Sequence, residues 1–253
     1  MTEAGCDLLC LSPHTDDAEI GLGGTLRLLA DRGRRVWCVD LTRGELGSNG
    51  SPDERWVEAT GASARLGLTG RLQLGLPDGF VSGEDPQQVG AVVAVLRVLR
   101  PRWVVTAPAP VRHPDHQATP RLAARAVFLA HLAAYRPPVP AWRSWGDLRP
   151  DGDPAAPWRC ETLAQVCPPG QAPSLLFDVS AAWEAKLAAL ACYDSQFRAE
   201  PGRRATAIND RAFLDEVERT ARRWGHLAGV AHAEAVLTTA AAVCRDLPGE
   251  RWA

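Results

Sequence analysis

Two short clusters of imidazole and carboxylate side chains are the residues of this sequence best suited to chemistry. The first is HTDD at residues 14–17, and the second is RHPDH at residues 112–116. Each cluster follows an apolar run typical of a buried strand, at residues 8–12 and 103–107. Because open parallel sheets place their functional residues at the carboxyl ends of strands, we expect the two clusters to meet at one edge of a sheet.

Histidine and aspartate are ligands that zinc takes in catalytic sites, where three protein ligands leave one position for water. The predicted metal ligands are His14, Asp17 and His116. The same donors would accept other divalent transition metals. Asp16 then remains free as a general base, and His113 faces it as a cation or hydrogen-bond donor. This arrangement suits metal-assisted hydrolysis of an amide.

The surplus groups leave two alternatives open. Asp115 is placed to fix the orientation of an imidazole, whereas Asp17 could also be an ordinary helix N-cap. A nucleotide-binding domain without hydrolase activity is the alternative of another class, because Gly21, Gly23 and Gly24 follow the first strand as in a dinucleotide-binding turn. The third glycine of that motif would fall on Leu26, and the glycines lie inside the predicted helix, where they favour tight packing on the sheet.

Apolar runs and helical periodicity alternate along the chain. Strands are predicted at residues 8–12, 36–41, 71–74, 103–107, 159–166 and 175–179. Helices are predicted at residues 18–32, 53–66, 86–100, 119–135, 181–197 and 210–227, with Thr119 as N-cap and Pro120 at the first position of the fourth. This order predicts a single-domain, Rossmann-like α/β fold, with a mostly parallel sheet and helices on both faces.

Length and composition agree with one ordinary globular domain. The chain has 253 residues and a net charge of -2, so electrostatics favours a small-molecule partner and neither nucleic acid nor a membrane. No apolar run is long enough to cross a membrane, and the first residues lack a signal-peptide pattern, which favours a cytoplasmic location. The seven cysteines are scattered, which predicts reduced and mostly buried thiols. A Pro- and Trp-rich segment at residues 137–158 is interpreted as a surface loop that could form the rim of the site.

The sequence resembles the LmbE/PIG-L superfamily of zinc-dependent de-N-acetylases. SPHTDDAEIG at residues 12–21 and RHPDH at residues 112–116 carry that resemblance. DLTRGELGSNG at residues 40–50, residues 55–59, LGLPDG at residues 74–79 and YDSQF at residues 193–197 are similar to the branch that deacetylates N-acetylglucosaminyl malate in bacillithiol biosynthesis. Thr15 departs from the Pro or Ala that the family often has between the first histidine and the first aspartate.

The resemblance implies the same metal ligands, the same base and assistance by His113 to the oxyanion or the leaving group. It also implies that Arg112 binds an acidic aglycone through its planar guanidinium. The weaker candidates for sugar or malate contacts are Arg55, Glu19, Ser48 and Asn49. Tyr193 is a candidate oxyanion donor or a packing residue. The implied reaction is removal of acetate from N-acetylglucosaminyl malate, with another small N-acetyl sugar conjugate as the alternative substrate and a homo-oligomer as the implied assembly.

Overall fold

One eight-stranded sheet organises the molecule, for which the computed structural model describes residues 5–108, 112–146 and 152–238. The strands are β1 (Cys6–Ser12), β2 (Val36–Thr42), β3 (Gly70–Leu76), β4 (Pro101–Thr106), β5 (Arg143–Trp145), β6 (Thr162–Val166), β7 (Leu175–Asp178) and β8 (Ala233–Thr238). The helices are α1 (Asp17–Asp31), α2 (Pro52–Leu66), α3 (Pro86–Leu99), α4 (Pro114–Ala130), α5 (Trp183–Leu190), α6 (Asp194–Phe197) and α7 (Arg211–Ala228), and a 3-10 turn at Ser180–Ala182 precedes α5.

The strand order β5-β3-β2-β1-β4-β6-β8-β7 confirms the predicted α/β class. The five central strands, in the spatial order β3-β2-β1-β4-β6, pair in parallel. At one side β5 pairs antiparallel with β3, and at the other side β8 pairs antiparallel with both β6 and β7. From β1 the chain passes through α1 to β2 on one side, while β4 pairs with the other side of β1. The topological switch point, where such sheets bind ligands, therefore lies between β1 and β4.

Helices cover both faces because side chains of the central strands alternate between two cores. Leu9 and Leu11 of β1 belong to the core beneath α3 and α4, whereas Leu8 and Cys10 belong to the core beneath α1, α2 and α5. Strands buried on both faces read as continuous apolar runs, as expected for a covered parallel sheet.

The glycines after β1 serve packing. Gly24 lies inside α1, where a Cβ would be 2.6 Å from the Cβ of Val179, and a Cβ on Gly23 would be 3.0 Å from Lys186 Cγ. Side chains thus fill the space beside these glycines, and the nucleotide-binding interpretation gains no support from them.

The start of α4 was predicted wrongly. The helix begins at Pro114 with His113 as its N-cap, and Pro120 lies inside it. Pro114 satisfies the same first-position preference as Pro120, and the N-cap contact of His113 fixes the earlier start. As a result, Asp115 and His116 lie in the first turn of a helix rather than in a loop.

Three further elements differ from the sequence-based expectations. Residues 181–197 form a 3-10 turn, α5 and α6 instead of one helix, with Tyr193 between α5 and α6. The segment at 137–158 contributes the short edge strand β5, which pairs antiparallel with β3 and contains none of the segment's prolines. The strand β8 was not predicted at all, although it inserts between β6 and β7.

The described part of the chain contains no helix that is both long and apolar enough to span a membrane. Its six cysteines are free, and five of them are buried, as predicted from their scatter; Cys244 lies outside the described residues.

Candidate functional site

A cavity of about 460 Å³ opens at the switch point, where the turn after β1 meets the N-terminus of α4. Both sequence clusters reach it, as predicted. Its polar lining consists of His14, Asp16, Asp17, Arg55, Asp78, Arg112, His113 and His116.

The two adjacent aspartates of the first cluster have different partners. Asp17 is the first residue of α1, and its Oδ2 accepts a hydrogen bond from the backbone N–H of His14 at 2.9 Å. Asp16 is the N-cap residue, but its side chain makes no capping hydrogen bond. The Asp16 carboxylate lines the cavity, and the residue is only 4% exposed, so it is available for chemistry rather than for helix capping.

His14, Asp17 and His116 have the spacing of a metal site. His14 Nδ1 lies 3.3 Å from Asp17 Oδ2, and His116 Nε2 lies 3.2 Å from Asp17 Oδ1. Ligand atoms about 2.0–2.2 Å from a tetrahedral zinc ion would be about 3.3–3.5 Å apart. The two distances involve different oxygens of Asp17, but one ligand atom from each of the three residues lies within 4.8 Å of the other two, so these residues could hold a divalent metal.

The second nitrogen of His14 is held by carboxylates. Its Nε2 lies 3.1 Å from Asp78 Oδ1 and 3.5 Å from Asp115 Oδ2. Burial would lower the pKa of His14, but hydrogen bonds to Asp115, Asp17 and Asp78 raise that pKa to about 12. If His14 binds a metal through Nδ1, which faces Asp17, these carboxylates would keep the remaining ring proton on Nε2.

Asp17 carries the charge that such a site requires. Burial would raise the pKa of Asp17, yet the neighbouring His116 and His14 hold it well below its ordinary value. Burial likewise would lower the pKa of His116, but the charge of Asp17 raises it. Protons on the imidazoles therefore compete with a metal ion for the same nitrogens.

Asp115 connects His14 to the loop after β3. Its carboxylate is fully buried and accepts backbone N–H groups from Gly79 at 2.7 Å and Val81 at 3.1 Å. The same loop places Asp78, whose Oδ2 accepts the N–H of Leu46 at 2.9 Å. Since both oxygens of Asp115 are already bonded, Asp115 orients His14 and its loop rather than offering a free ligand.

His113 presents a neutral ring to the cavity. Its Nδ1 accepts the backbone N–H of Asp115 at 3.3 Å, which leaves the ring proton on Nε2. Burial and the neighbouring His14 and His116 lower the pKa of His113 below its ordinary value. Of the two forms predicted from the sequence, the geometry favours the neutral hydrogen-bond donor over the cation.

Arg55 reaches the site from α2. Its side chain is buried, with Nη1 donating to the carbonyl of Gly44 at 3.0 Å and Nη2 at 3.6 Å from Asp16 Oδ1. The approach requires glycine at position 44, where φ is +68° and a Cβ would be 1.8 Å from Arg55 Nη1. Arg112, by contrast, is exposed at the mouth of the cavity.

Glu19 and Tyr193 do not reach the cavity. Glu19 is fully buried, and its Oε1 accepts from Arg71 Nη1 at 2.7 Å. Tyr193 is also fully buried, and its hydroxyl donates to the carbonyl of Thr15, as Arg71 Nη2 does. The burial of Glu19 argues against a sugar contact, and of the two roles expected for Tyr193 the structure favours the packing residue. Tyr193 and Arg71 hold the Thr15 carbonyl from behind, and Glu19 in turn binds Arg71.

The remaining candidates lie at the periphery. Ser48 is exposed. Asn49 makes two hydrogen bonds to the backbone of Arg204: its Nδ2 donates to the carbonyl at 2.8 Å, and its Oδ1 accepts from the N–H at 2.9 Å. Neither lines the cavity. The described residues of 137–158 do not line it either, so a role for this segment as a rim stays a prediction.

Sequence reasoning missed Asp78 as part of the site. It lies in the LPDG turn directly after β3, the same position at a strand's carboxyl end that identified the two clusters. Arg71 was missed as well, because an arginine within a strand gives no local sign that it will be buried between Glu19 and Asp40.

Comparisons with known proteins agree with this geometry. A family model described as "PIG-L: GlcNAc-PI de-N-acetylase" matches residues 9–127, which include both clusters. The chain is 32% identical over 163 residues to a 1D-myo-inositol 2-acetamido-2-deoxy-alpha-D-glucopyranoside deacetylase of Streptomyces avermitilis, covering 51% of this chain and 55% of that protein. It is 32% identical over 132 residues to a Bacillus cereus protein named "Probable N-acetyl-alpha-D-glucosaminyl L-malate deacetylase 2", covering 47% of this chain and 60% of that protein.

The chain spans only about half the length of the curated relatives that it matches. A solved structure of a conserved protein from Thermus thermophilus extends the similarity, with 35% identity, a TM-score of 0.79 and coverage of 98% of this chain and 100% of that one. Since the family match contains both clusters that form the cavity and the structural match covers nearly the whole fold, the chain belongs to the PIG-L/LmbE family.

Proposed function

We propose that this protein hydrolyses the acetamido group of an N-acetylglucosaminide, with N-acetyl-α-D-glucosaminyl L-malate as its substrate. The observation that carries the proposal is the triplet His14, Asp17 and His116 at metal-ligand spacing, next to the Asp16 carboxylate, which caps no helix. The names of the two relatives, both deacetylases of glucosamine conjugates, support it.

Each residue then has one task in the reaction of water with the amide to give acetate and a free amine. A divalent metal such as zinc, held by His14, Asp17 and His116, would polarise the amide carbonyl and lower the pKa of water to about 7. Asp16 accepts the proton of the attacking water. His113, with its proton on Nε2, donates to the oxygen on which negative charge develops. Asp78 and Asp115 keep His14 oriented.

The aglycone is assigned from charge. Arg112 and Arg55 both line the cavity and give it two cations, which suit the carboxylates of malate. An inositol glycoside is the second candidate, because the Streptomyces avermitilis relative carries that name. Inositol offers hydroxyl groups and no charge, so the two aglycones depend differently on Arg112.

The test supplies purified, metal-stripped protein with each glycoside, restores zinc and measures free amine. We expect amine release from the malate glycoside only after metal is restored. Absence of amine from both glycosides at full zinc occupancy would contradict the deacetylase proposal.

Replacement of Arg112 separates the two aglycones. We expect Arg112→Ala to lower kcat/KM for the malate glycoside by about 10- to 100-fold, the loss of a charge-assisted hydrogen bond of about 1.5–3 kcal/mol. The inositol glycoside should be hydrolysed with nearly unchanged kcat/KM by this variant. An equal loss of kcat/KM on both glycosides would mean that Arg112 contacts the sugar or supports the structure of the site, and does not recognise the aglycone.

A further inference from the structure

A second chamber of about 190 Å³, the apolar annex, adjoins the catalytic cavity. The apolar part of its wall comes from Ile20 of α1, Val166 at the end of β6, Phe213, Val217 and Trp224 of α7, and Ala235 of β8. Lys186, Glu216 and Glu234 also lie in this wall. Lys186 and Glu234 form a buried pair at 2.6 Å, and the exposed Glu216 pairs with Arg219 at 2.5 Å, so each of these charges has a partner.

The annex and the catalytic cavity meet at the metal-ligand triplet. Asp17 and His116 line both chambers, as do Ile20 and Phe213. His14, Arg55, Asp78 and His113 line the polar chamber and are absent from the annex. An amide bound at Asp17 and His116 would therefore border both chambers, one that contains most of the charged side chains of the site and one that is mainly apolar.

An amide has two substituents, which leave the scissile bond in opposite directions. The sugar and its aglycone on the nitrogen side are hydroxylated or charged, and they match the chamber that contains Arg55 and Arg112. With the sugar in that chamber, the acyl group on the carbon side would face the annex. Acetate supplies a single methyl group there, which leaves most of the apolar wall without contact atoms.

We propose that the annex is an acyl-binding site, and that this protein also accepts N-acyl glucosaminides with linear apolar acyl groups of about four to six carbons and binds them more tightly than the acetyl compound. This inference rests on the proposed amidohydrolase function and extends its substrate class to longer acyl groups. The reaction balances as before: water attacks the acyl carbon, the C–N bond breaks, the acyl group leaves as a carboxylate and the nitrogen leaves as an amine.

Binding is the readout that separates this inference from catalysis. The variant Asp16→Asn, loaded with zinc, is titrated calorimetrically with N-acetyl, N-butyryl and N-hexanoyl glucosaminides of one aglycone. We expect Kd to fall by about fourfold for each methylene group that enters the annex. Chain-length independence of Kd, or weaker binding of the longer chains, would overturn the acyl-site inference whether or not the protein hydrolyses any amide.

Filling the annex gives a second test. Val217→Phe, in the same Asp16→Asn background, should abolish the gain from the longer chains while Kd for the acetyl compound changes less than twofold. The matched control is Val57→Phe on α2, since Val57 is 67% exposed and lines neither chamber. If Val217→Phe does not fold, Thr220→Phe fills the annex from the same helix. A retained chain-length gain in a folded filled variant would also contradict the inference.

Failure of the deacetylase proposal would look different. The wild-type enzyme would then release no amine from any acyl compound, while the chain-length dependence of Kd would still report on the annex. Conversely, turnover of the acetyl compound combined with a flat Kd series would retain the proposed function and remove the acyl site.

Discussion

Asp16 and Asp17 are chemically identical neighbours that the fold places in different environments. The backbone N–H of His14 and the imidazole of His116 hold Asp17, whereas the Asp16 carboxylate faces the cavity with Arg55 Nη2 3.6 Å away. The first environment suits a metal ligand and the second a group that accepts and releases a proton.

Replacing each aspartate by asparagine tests this division. We expect Asp16→Asn to bind zinc stoichiometrically and to lose about 10²–10⁴-fold in kcat, the usual contribution of a positioned general base. Asp17→Asn should lose zinc, which metal analysis after dialysis measures. Loss of zinc from Asp16→Asn with retention by Asp17→Asn would show that the two roles are exchanged.

The sequence left Tyr193 open between an oxyanion donor and a packing residue, and one substitution distinguishes these two roles. Because its hydroxyl is buried against the Thr15 carbonyl, Tyr193→Phe should lower the free energy of unfolding by about 0.5–1.5 kcal/mol. Urea unfolding measures this value. A large fall in kcat with no change in stability would instead support an oxyanion donor.

At the scale of elements, the approach of α1 to the chain before α5 depends on glycine. Gly24→Ala would place a Cβ 2.6 Å from the Cβ of Val179, which is fully buried. We expect this variant to lose about 1–3 kcal/mol of stability through overpacking.

Gly61 of α2 is the matched control for Gly24. A Cβ there would lie 3.7 Å from Cys192 Sγ, an ordinary contact. Gly61→Ala should therefore stabilise the protein by about 0.5–1 kcal/mol through helix propensity. Thermal unfolding of both variants checks the opposite signs, and a stabilising Gly24→Ala would contradict the packing argument.

At the scale of the whole molecule, a buried ionic cluster ties α1, β2 and β3 together. Arg71 Nε lies 2.7 Å from Asp40 Oδ2, and Arg71 Nη1 lies 2.7 Å from Glu19 Oε1, with all three side chains fully buried. Removing the guanidinium of Arg71 leaves the carboxylates of Glu19 and Asp40 buried without a cation. Arg71→Gln should therefore lower stability by about 3–5 kcal/mol, whereas Arg102→Gln, which breaks the exposed pair with Glu161, should lower it by about 0–1 kcal/mol.

The loss in Arg71→Gln should depend on pH. Burial raises the pKa of both Glu19 and Asp40, while Arg71 opposes that rise. Without Arg71 the folded pKa values rise further above the unfolded values of about 4.3 and 3.9. Since stability falls as pH rises from the unfolded pKa to a raised folded pKa, the variant should be closer to wild type at pH 5 than at pH 8. Urea unfolding at both pH values measures the difference in stability between wild type and variant. The same difference at pH 5 and pH 8 would contradict the conclusion that Arg71 holds down the pKa values of Glu19 and Asp40.

The sequence alone predicted the class of fold, which the structure confirms, and identified the two clusters that border the candidate site. Strand and helix alternation follows from local hydrophobic periodicity, and the positions of HTDD and RHPDH after two strands placed both clusters at one edge of the sheet. Local patterns predicted element boundaries less well where two residues could each start a helix. Both Pro114 and Pro120 suit the first position of a helix, and the sequence favoured the wrong one for α4.

Only the tertiary structure decided which polar groups face the cavity and which face the interior. Asp78 reaches His14 across 64 residues of sequence, and Tyr193 reaches Thr15 across 178. The apolar annex likewise combines α1, α7, β6 and β8, the last of which was not predicted. Burial and charge pairing arise from contacts between distant segments, and local periodicity contains no information about those contacts. The sequence therefore determined the reactive clusters, whereas packing determined their orientation and the shape of the space beside them.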